Sequence, residues 1–184
     1  MNGKKRYAMV IDTHKCFDCK ACTIACKMEN GVADSDQEYR NWVDTGEIIG
    51  VFPNVSQKFT PGQCNHCTNA PCVKVCPTTA TYRDENGFVR VDYEKCIVCK
   101  YCMIACPYDA RFVSSTTHTV DKCTFCAHRV GRGELPACVE TCPSKTRTFG
   151  DLNDPKSEVS KLLRENEYKV LKPETGAEPN IFYI

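Results

Sequence analysis

The residues able to do chemistry in this 184-residue chain are its sixteen cysteines, and they are not scattered. They form four quartets: Cys16, Cys19, Cys22 and Cys26; Cys64, Cys67, Cys72 and Cys76; Cys96, Cys99, Cys102 and Cys106; Cys123, Cys126, Cys138 and Cys142. None is left over. Every quartet begins C-x2-C and ends C-x3-C. The first and third share the full pattern C-x2-C-x2-C-x3-C, while the second widens its middle gap to four residues and the fourth to eleven. So dense a set of thiols means either cross-links or metal ligation.

The overlapping spacing selects the metal, because it is the run that binds [4Fe–4S] clusters in bacterial ferredoxins. Three thiolates on a tight loop can wrap three irons of one cube. The third cysteine opens a helix, and the fourth lies one turn along the same face, aimed at a neighbouring cube. The fourth cysteine of such a run therefore ligates the other cluster of a pair. Pro77, Pro107 and Pro143 follow the last cysteine of quartets two, three and four and should stop the helix there. Quartet one has Lys27 in that place. Structural zinc would need two separated C-x2-C pairs rather than overlapping runs. A disulfide framework would come with a secretory signal. The apolar run Tyr7–Ile11 is too short for one and ends at Asp12, and Lys4, Lys5 and Arg6 contain no twin-Arg pair. The expectation is four [4Fe–4S] clusters in a protein folded in a reducing cytosol. Every ligand position is a cysteine, so no quartet is built for a [3Fe–4S] centre.

The elements that must position these ligands are short. Strand patterns precede quartets one and three at residues 7–12 and 88–92, and a third covers 111–113. Helices are expected at 21–28 and 100–105. Asn86-Gly87 marks a turn before the second strand. Residues 27–63 read as an insertion with an extended segment at 47–55, and 127–137 as a loop marked by Gly131, Gly133 and Pro136. Ser157 can cap a helix whose apolar face is Val159, Leu162 and Leu163. Beyond Pro173 the chain reads as loop, ending in an apolar Ile181–Ile184 that should be pinned to the domain surface or to a partner. Net charge is +1, from 24 basic and 23 acidic residues, which gives no support for nucleic-acid binding. No stretch approaches the 18 or so apolar residues of a membrane span.

The motifs CNHCTNAPCVKVCPTTA (64–80), CIVCKYCMIACPYDAR (96–111) and DKCTFCAHRVGRGELPACVETCPSKTRTFGDLNDP (121–155) resemble the four-cluster iron–sulfur subunits of the dimethyl sulfoxide reductase family. The short length and the ending PNIFYI are most like the B subunits of polysulfide and thiosulfate reductases. Asp18 and Val98 stand where the family often has Gly, as does Thr79 after quartet two.

The resemblance implies an α+β fold of two ferredoxin-like lobes related by pseudo-twofold symmetry. One lobe is residues 1–58 with 107–150, the other is 59–106, and 151–184 is a C-terminal helix and tail. By the ferredoxin rule, Cys16, Cys19, Cys22 and Cys142 hold one cube, and Cys123, Cys126, Cys138 and Cys26 its neighbour. Cys64, Cys67, Cys72 and Cys106 hold a third, and Cys96, Cys99, Cys102 and Cys76 the fourth. The implied partners are a molybdopterin catalytic subunit and an integral-membrane quinol-oxidising subunit. The implied setting is a peripheral complex, on the periplasmic face if the chain is co-exported with a twin-Arg-bearing partner, with the cytoplasmic face as the alternative. A free-standing polyferredoxin, or a subunit of a formate dehydrogenase or hydrogenase, is the alternative.

Outside the ligands little suggests chemistry. His14, His66, His118 and His128 are not needed as ligands, and His66 reads as a neighbour of the cluster or a solvent-facing residue. Lys20, Lys100, Lys122 and Arg129 adjoin ligands; they could raise cluster potential by offsetting the negative cubes, but a solvated surface position fits each better. Tyr39, Trp42 and Phe52 could form a docking surface, though packing over the insertion fits them better. No catalytic residue emerges.

Overall fold

A computed structural model describes residues 5–184. Lys4, and with it the start of the basic N-terminal run and of the first expected lobe, lies outside the described residues. The elements in chain order are β1 (Tyr7–Ile11), α1 (Ala21–Asn30), β2 (Asn41–Val51), β3 (Asn54–Gln63), α2 (Pro71–Lys74), β4 (Thr81–Arg83), β5 (Val89–Val91), α3 (Tyr101–Ile104), β6 (Phe112–Val113), β7 (Val120–Asp121), α4 (Ala127–Val130), α5 (Ala137–Glu140), β8 (Arg147–Asp151), α6 (Glu158–Glu165) and β9 (Ile181–Tyr183). The architecture is a mixed set of short helices and small sheets. Among the described residues no helix is long and apolar enough to cross a membrane.

The proline rule acts where it was expected. Helices α2, α3 and α5 each last four residues, and the cysteine before each proline closes the turn with a tightened bond to the residue three before it, such as Cys106 N–H to the Met103 carbonyl at 3.2 Å. Without a proline, α1 runs for ten residues and ends at Gly31, whose φ of +60° suits a left-handed cap.

The largest sheet joins distant parts of the chain. β1 lies between β8, antiparallel to it, and β9, parallel to it. The tail expected to be loop after Pro173 is therefore strand at its end. Ile181 is fully buried, and Ile181–Tyr183 pairs with Met9–Ile11. The apolar alternation is too short to signal a strand, and only β1 supplies its edge. The capped helix forms as expected: Ser157 accepts from the Ser160 N–H, and Val159 is completely buried over Ala8, Val10 and Phe182.

The insertion holds more order than its sequence announces. Its extended run is cut by a turn at Phe52-Pro53, and β2 and β3 form a long hairpin with an irregularity between Thr45 and Ile48. Trp42 packs over Gly62 at the base of this hairpin, where a Cβ would lie 2.5 Å from the indole. Phe52 stands at the far end, 87 % exposed. Trp42 and Phe52 thus share no surface, and the indole packs as expected.

Candidate iron–sulfur centres

The cysteine loops fold as they do because of their backbone. Asp18 and Lys20 in quartet one, and Val98 and Lys100 in quartet three, all have φ between 56° and 64°. This left-handed geometry turns the loop back on itself between ligands, and it is one that glycine adopts without strain. Thr79 has the same geometry, with φ of 55°. The third cysteine of each quartet, Cys22, Cys72, Cys102 or Cys138, then sits on a helix and is buried.

Thiols from separate quartets meet. Cys16, Cys19 and Cys22 share with Cys142 the walls of one recess. Cys96, Cys99 and Cys102 share a second recess with Cys76. Cys67 feels the charges of Cys64, Cys72 and Cys106, and Cys26 those of Cys138 and Cys126. Cys123 lies among Cys26, Cys138, Cys64 and Cys126. Burial pushes Cys67 up to about 12 and Cys138 up to about 11, and Cys123 and Cys26 also lie far above an ordinary thiol. At Cys76 and Cys142 burial is outweighed by hydrogen bonds, from the Thr81 N–H at 3.3 Å in one case and from Ser144 in the other, and both thiols are lowered. Four thiolates cannot crowd together in low dielectric without a compensating positive centre. Iron–sulfur cubes supply that centre and are bound by sets of four thiolates, so the donor sets fit the group.

The histidines are not drawn into these sets. His66 is buried, stacked on Phe125 at 3.8 Å, and accepts from the Val89 N–H through Nδ1. Burial, with Lys122 close by, keeps it neutral by holding its pKa well below the ordinary value. His128 pairs with Glu29 at 2.7 Å.

Lys20 and Lys100 reach solvent, and Arg129 joins a carboxylate cluster of Glu29, Glu134 and Glu140. Lys122 departs from the expected surface position. It is 1 % exposed, and its ammonium donates to the Val89 and Cys123 carbonyls. Those two carbonyls accept two of its three N–H groups where solvent cannot reach, and neither carries a charge. Two further buried cations, Arg111 and Arg147, face the thiols. Composition gives no hint of them. Their shared place, five residues beyond the fourth cysteine of quartets three and four, is the pattern that finds them.

Comparison with known proteins decides the family. Residues 55–152 and 15–80 each match a 4Fe-4S dicluster domain. The B subunit of tetrathionate reductase from Salmonella typhimurium is 45 % identical over 184 residues, covering 98 % of this chain and 73 % of the relative. The corresponding B polypeptide of polysulfide reductase from Wolinella succinogenes is 42 % identical, covering 98 % and 94 %. The arsenate respiratory reductase iron-sulfur subunit of Shewanella sp. is 38 % identical, covering 97 % and 96 %.

This protein belongs to the iron–sulfur subunits of the dimethyl sulfoxide reductase family. It is an electron-transfer subunit of an anaerobic respiratory reductase and not its catalytic subunit, and two dicluster domains with sixteen cysteines correspond to four [4Fe–4S] clusters. A free-standing polyferredoxin is not favoured.

Proposed function

We propose that the chain wires a membrane quinol-oxidising subunit to a molybdopterin catalytic subunit, through four clusters held by crossed ligand sets. Cys16, Cys19, Cys22 and Cys142 form the first set, and Cys123, Cys126, Cys138 and Cys26 the second. Cys64, Cys67, Cys72 and Cys106 form the third, and Cys96, Cys99, Cys102 and Cys76 the fourth. The observation that carries this reading is the meeting of distant thiols: Cys142 shares a recess with Cys16, and Cys76 shares one with Cys96. When bound, each cluster supplies a one-electron carrier. The protein's part is to hold the four sets in series, with the first and fourth at the ends. Two lobes with a pseudo-twofold relation, 1–58 with 107–150 and 59–106, are the corresponding division of the chain.

The ends have features that suit electron exchange with partners. Cys19 and Cys99 are the two exposed cysteines, and they fall in the first and fourth sets. Exposed apolar side chains stand nearby in sequence, Phe17 and Ile24 by the first and Ile97, Tyr101 and Ile104 by the second. On this reading the first set faces the molybdopterin subunit and the fourth faces the quinol site, in a peripheral complex on the periplasmic face of the membrane.

Cys102→Ser tests the direction. A serine oxygen is a poorer iron ligand than a thiolate, so the fourth cluster is weakened or lost. Quinol-linked turnover of the purified complex should fall at least tenfold, while activity with a dye that reduces the catalytic subunit directly survives. Equal loss of both would place that cluster elsewhere in the wire.

A further inference from the structure

Three basic side chains lie deep among the cysteines. Arg147 is 3 % exposed, Lys122 1 % and Arg111 6 %. Among the described residues none of them pairs with a carboxylate. The nearby buried carboxylate, Asp121, is taken by Arg40 at 2.9 Å. A buried cation without an anion is strongly unfavourable, so each needs a negative neighbour of another kind.

The thiols provide it, and they do so in a regular order. Arg147 acts on Cys22 and Cys138, with Nη2 3.8 Å from the Cys22 sulfur. Its other terminal nitrogen donates to the Gln63 Oε1 at 2.5 Å, which holds the guanidinium in place. Lys122 donates to the carbonyl of Cys123 and to that of Val89, whose own N–H bonds His66 between Cys64 and Cys67; burial lowers its pKa, and the charges of Cys64, Cys123 and Cys72 act against that. Arg111 acts on Cys72, Cys64 and Cys102, and donates through Nη1 to Thr81 Oγ1 at 3.3 Å. Its Nη2 is buried with no oxygen or nitrogen acceptor on it, and Cys72 is the thiol that acts most on this guanidinium.

With the crossed ligand sets proposed above, on which this step rests, Cys22 and Cys138 belong to the first and second clusters. Cys123 and Cys64 belong to the second and third, and Cys72 and Cys102 to the third and fourth. The wire has three junctions, and each contains one of the three cations. We infer that Arg147, Lys122 and Arg111 are positioning residues that place one buried positive charge at each junction of the wire and set the potentials of the two clusters beside it.

The physics is direct. Each reduction adds one electron, and so one negative charge, to a site already ringed by thiolates. A fixed cation in low dielectric stabilises the reduced form more than the oxidised form and raises the potential of both neighbours. An electron passing between neighbours moves from one side of the cation to the other and keeps its attraction throughout. In each step one cluster is oxidised and its neighbour reduced by the same electron, with no other reactant.

EPR-monitored redox titration of the purified complex, with iron counted on the same samples, tests this. The neutral variants are R147Q, K122Q and R111Q; the charge-keeping ones are R147K, K122R and R111K. Cys→Ser variants in each ligand set assign the signals. The expected result is that each neutral variant with full iron lowers the potentials of the clusters on either side of its own junction and leaves the other two unmoved. The charge-keeping variants should stay near the parent. Full iron with unmoved potentials in the neutral variants overturns the inference. Shifts confined to clusters away from the mutated junction overturn the ligand grouping instead, and a parent complex short of four clusters in this chain overturns the cluster count. Where a neutral variant sheds iron, its charge-keeping counterpart decides. Full iron at parental potential supports the role of charge, and lowered potential or lost iron there overturns it.

Discussion

Quartets one and three have the same cysteine spacing and the same left-handed loop, and each places its second cysteine at the surface and its third on a helix. The residue after the fourth cysteine separates them. Pro107 ends α3 after four residues, whereas Lys27 lets α1 continue to Asn30. The extra turns of α1 are then put to use. Asn30 accepts from Arg40 at 2.7 Å, Glu29 meets His128 and Arg129, and Lys27 reaches the carbonyls of Ala33 and Ser35. Asn41, at the start of the hairpin, bonds the Cys22 carbonyl and Thr23. One residue after a common motif thus decides whether the loop is a bare turn or the foot of a larger structure.

The comparison breaks most readily at Arg40. Its side chain and that of Asp121 are both under a tenth exposed, and Arg40 ties the segment after α1 to β7. Arg40→Met leaves Asp121 buried without its cation, held only by the Tyr93 hydroxyl and the Lys122 N–H, at a cost of about 3 kcal/mol. Anaerobic thermal melts should show a markedly lower midpoint, and an unchanged midpoint would mean that the segment contributes nothing to the fold.

Lys27→Pro gives quartet one the punctuation of quartet three. It removes the Lys27 N–H from the middle of α1 and sets a ring against the Thr23 carbonyl, a loss of about 3 kcal/mol. Helical circular dichroism should fall while the visible cluster absorbance persists. Loss of the absorbance would show that the long helix, and not the four-residue turn, is what quartet one requires.

The smallest effect separates the two loops themselves. Val98 is β-branched at φ of 56°, so Val98→Gly should relieve strain of about 1 kcal/mol and slow anaerobic cluster loss on warming. Asp18 has the same geometry, but its carboxylate accepts from Thr45 at 2.8 Å and pairs with Lys20 at 2.7 Å. Asp18→Gly loses these contacts and should bring little or no gain. Equal slowing in both variants would show that the hairpin contact to Asp18 is idle.

The sequence by itself determined what depends on neighbours along the chain. Thiol number and spacing carry the cluster chemistry, because ligand geometry is set over a few residues. Pro77, Pro107, Pro143 and Ser157 mark helix ends for the same local reason. Features that cross the chain were decided only by the tertiary structure. β9 is a strand because β1 offers it an edge. The run at 47–55 breaks at the Phe52-Pro53 turn into a hairpin whose base is closed by Trp42 packed over Gly62. Lys122 reads as a surface lysine beside a ligand, yet the fold closes β5 over it and supplies the Val89 carbonyl. The recess that Cys142 shares with Cys16 exists because β8 runs antiparallel to β1, returning the end of quartet four to the start of quartet one. The ferredoxin rule already expects Cys142 beside Cys16; what it does not contain is the β1–β8 pairing that brings together residues more than a hundred positions apart.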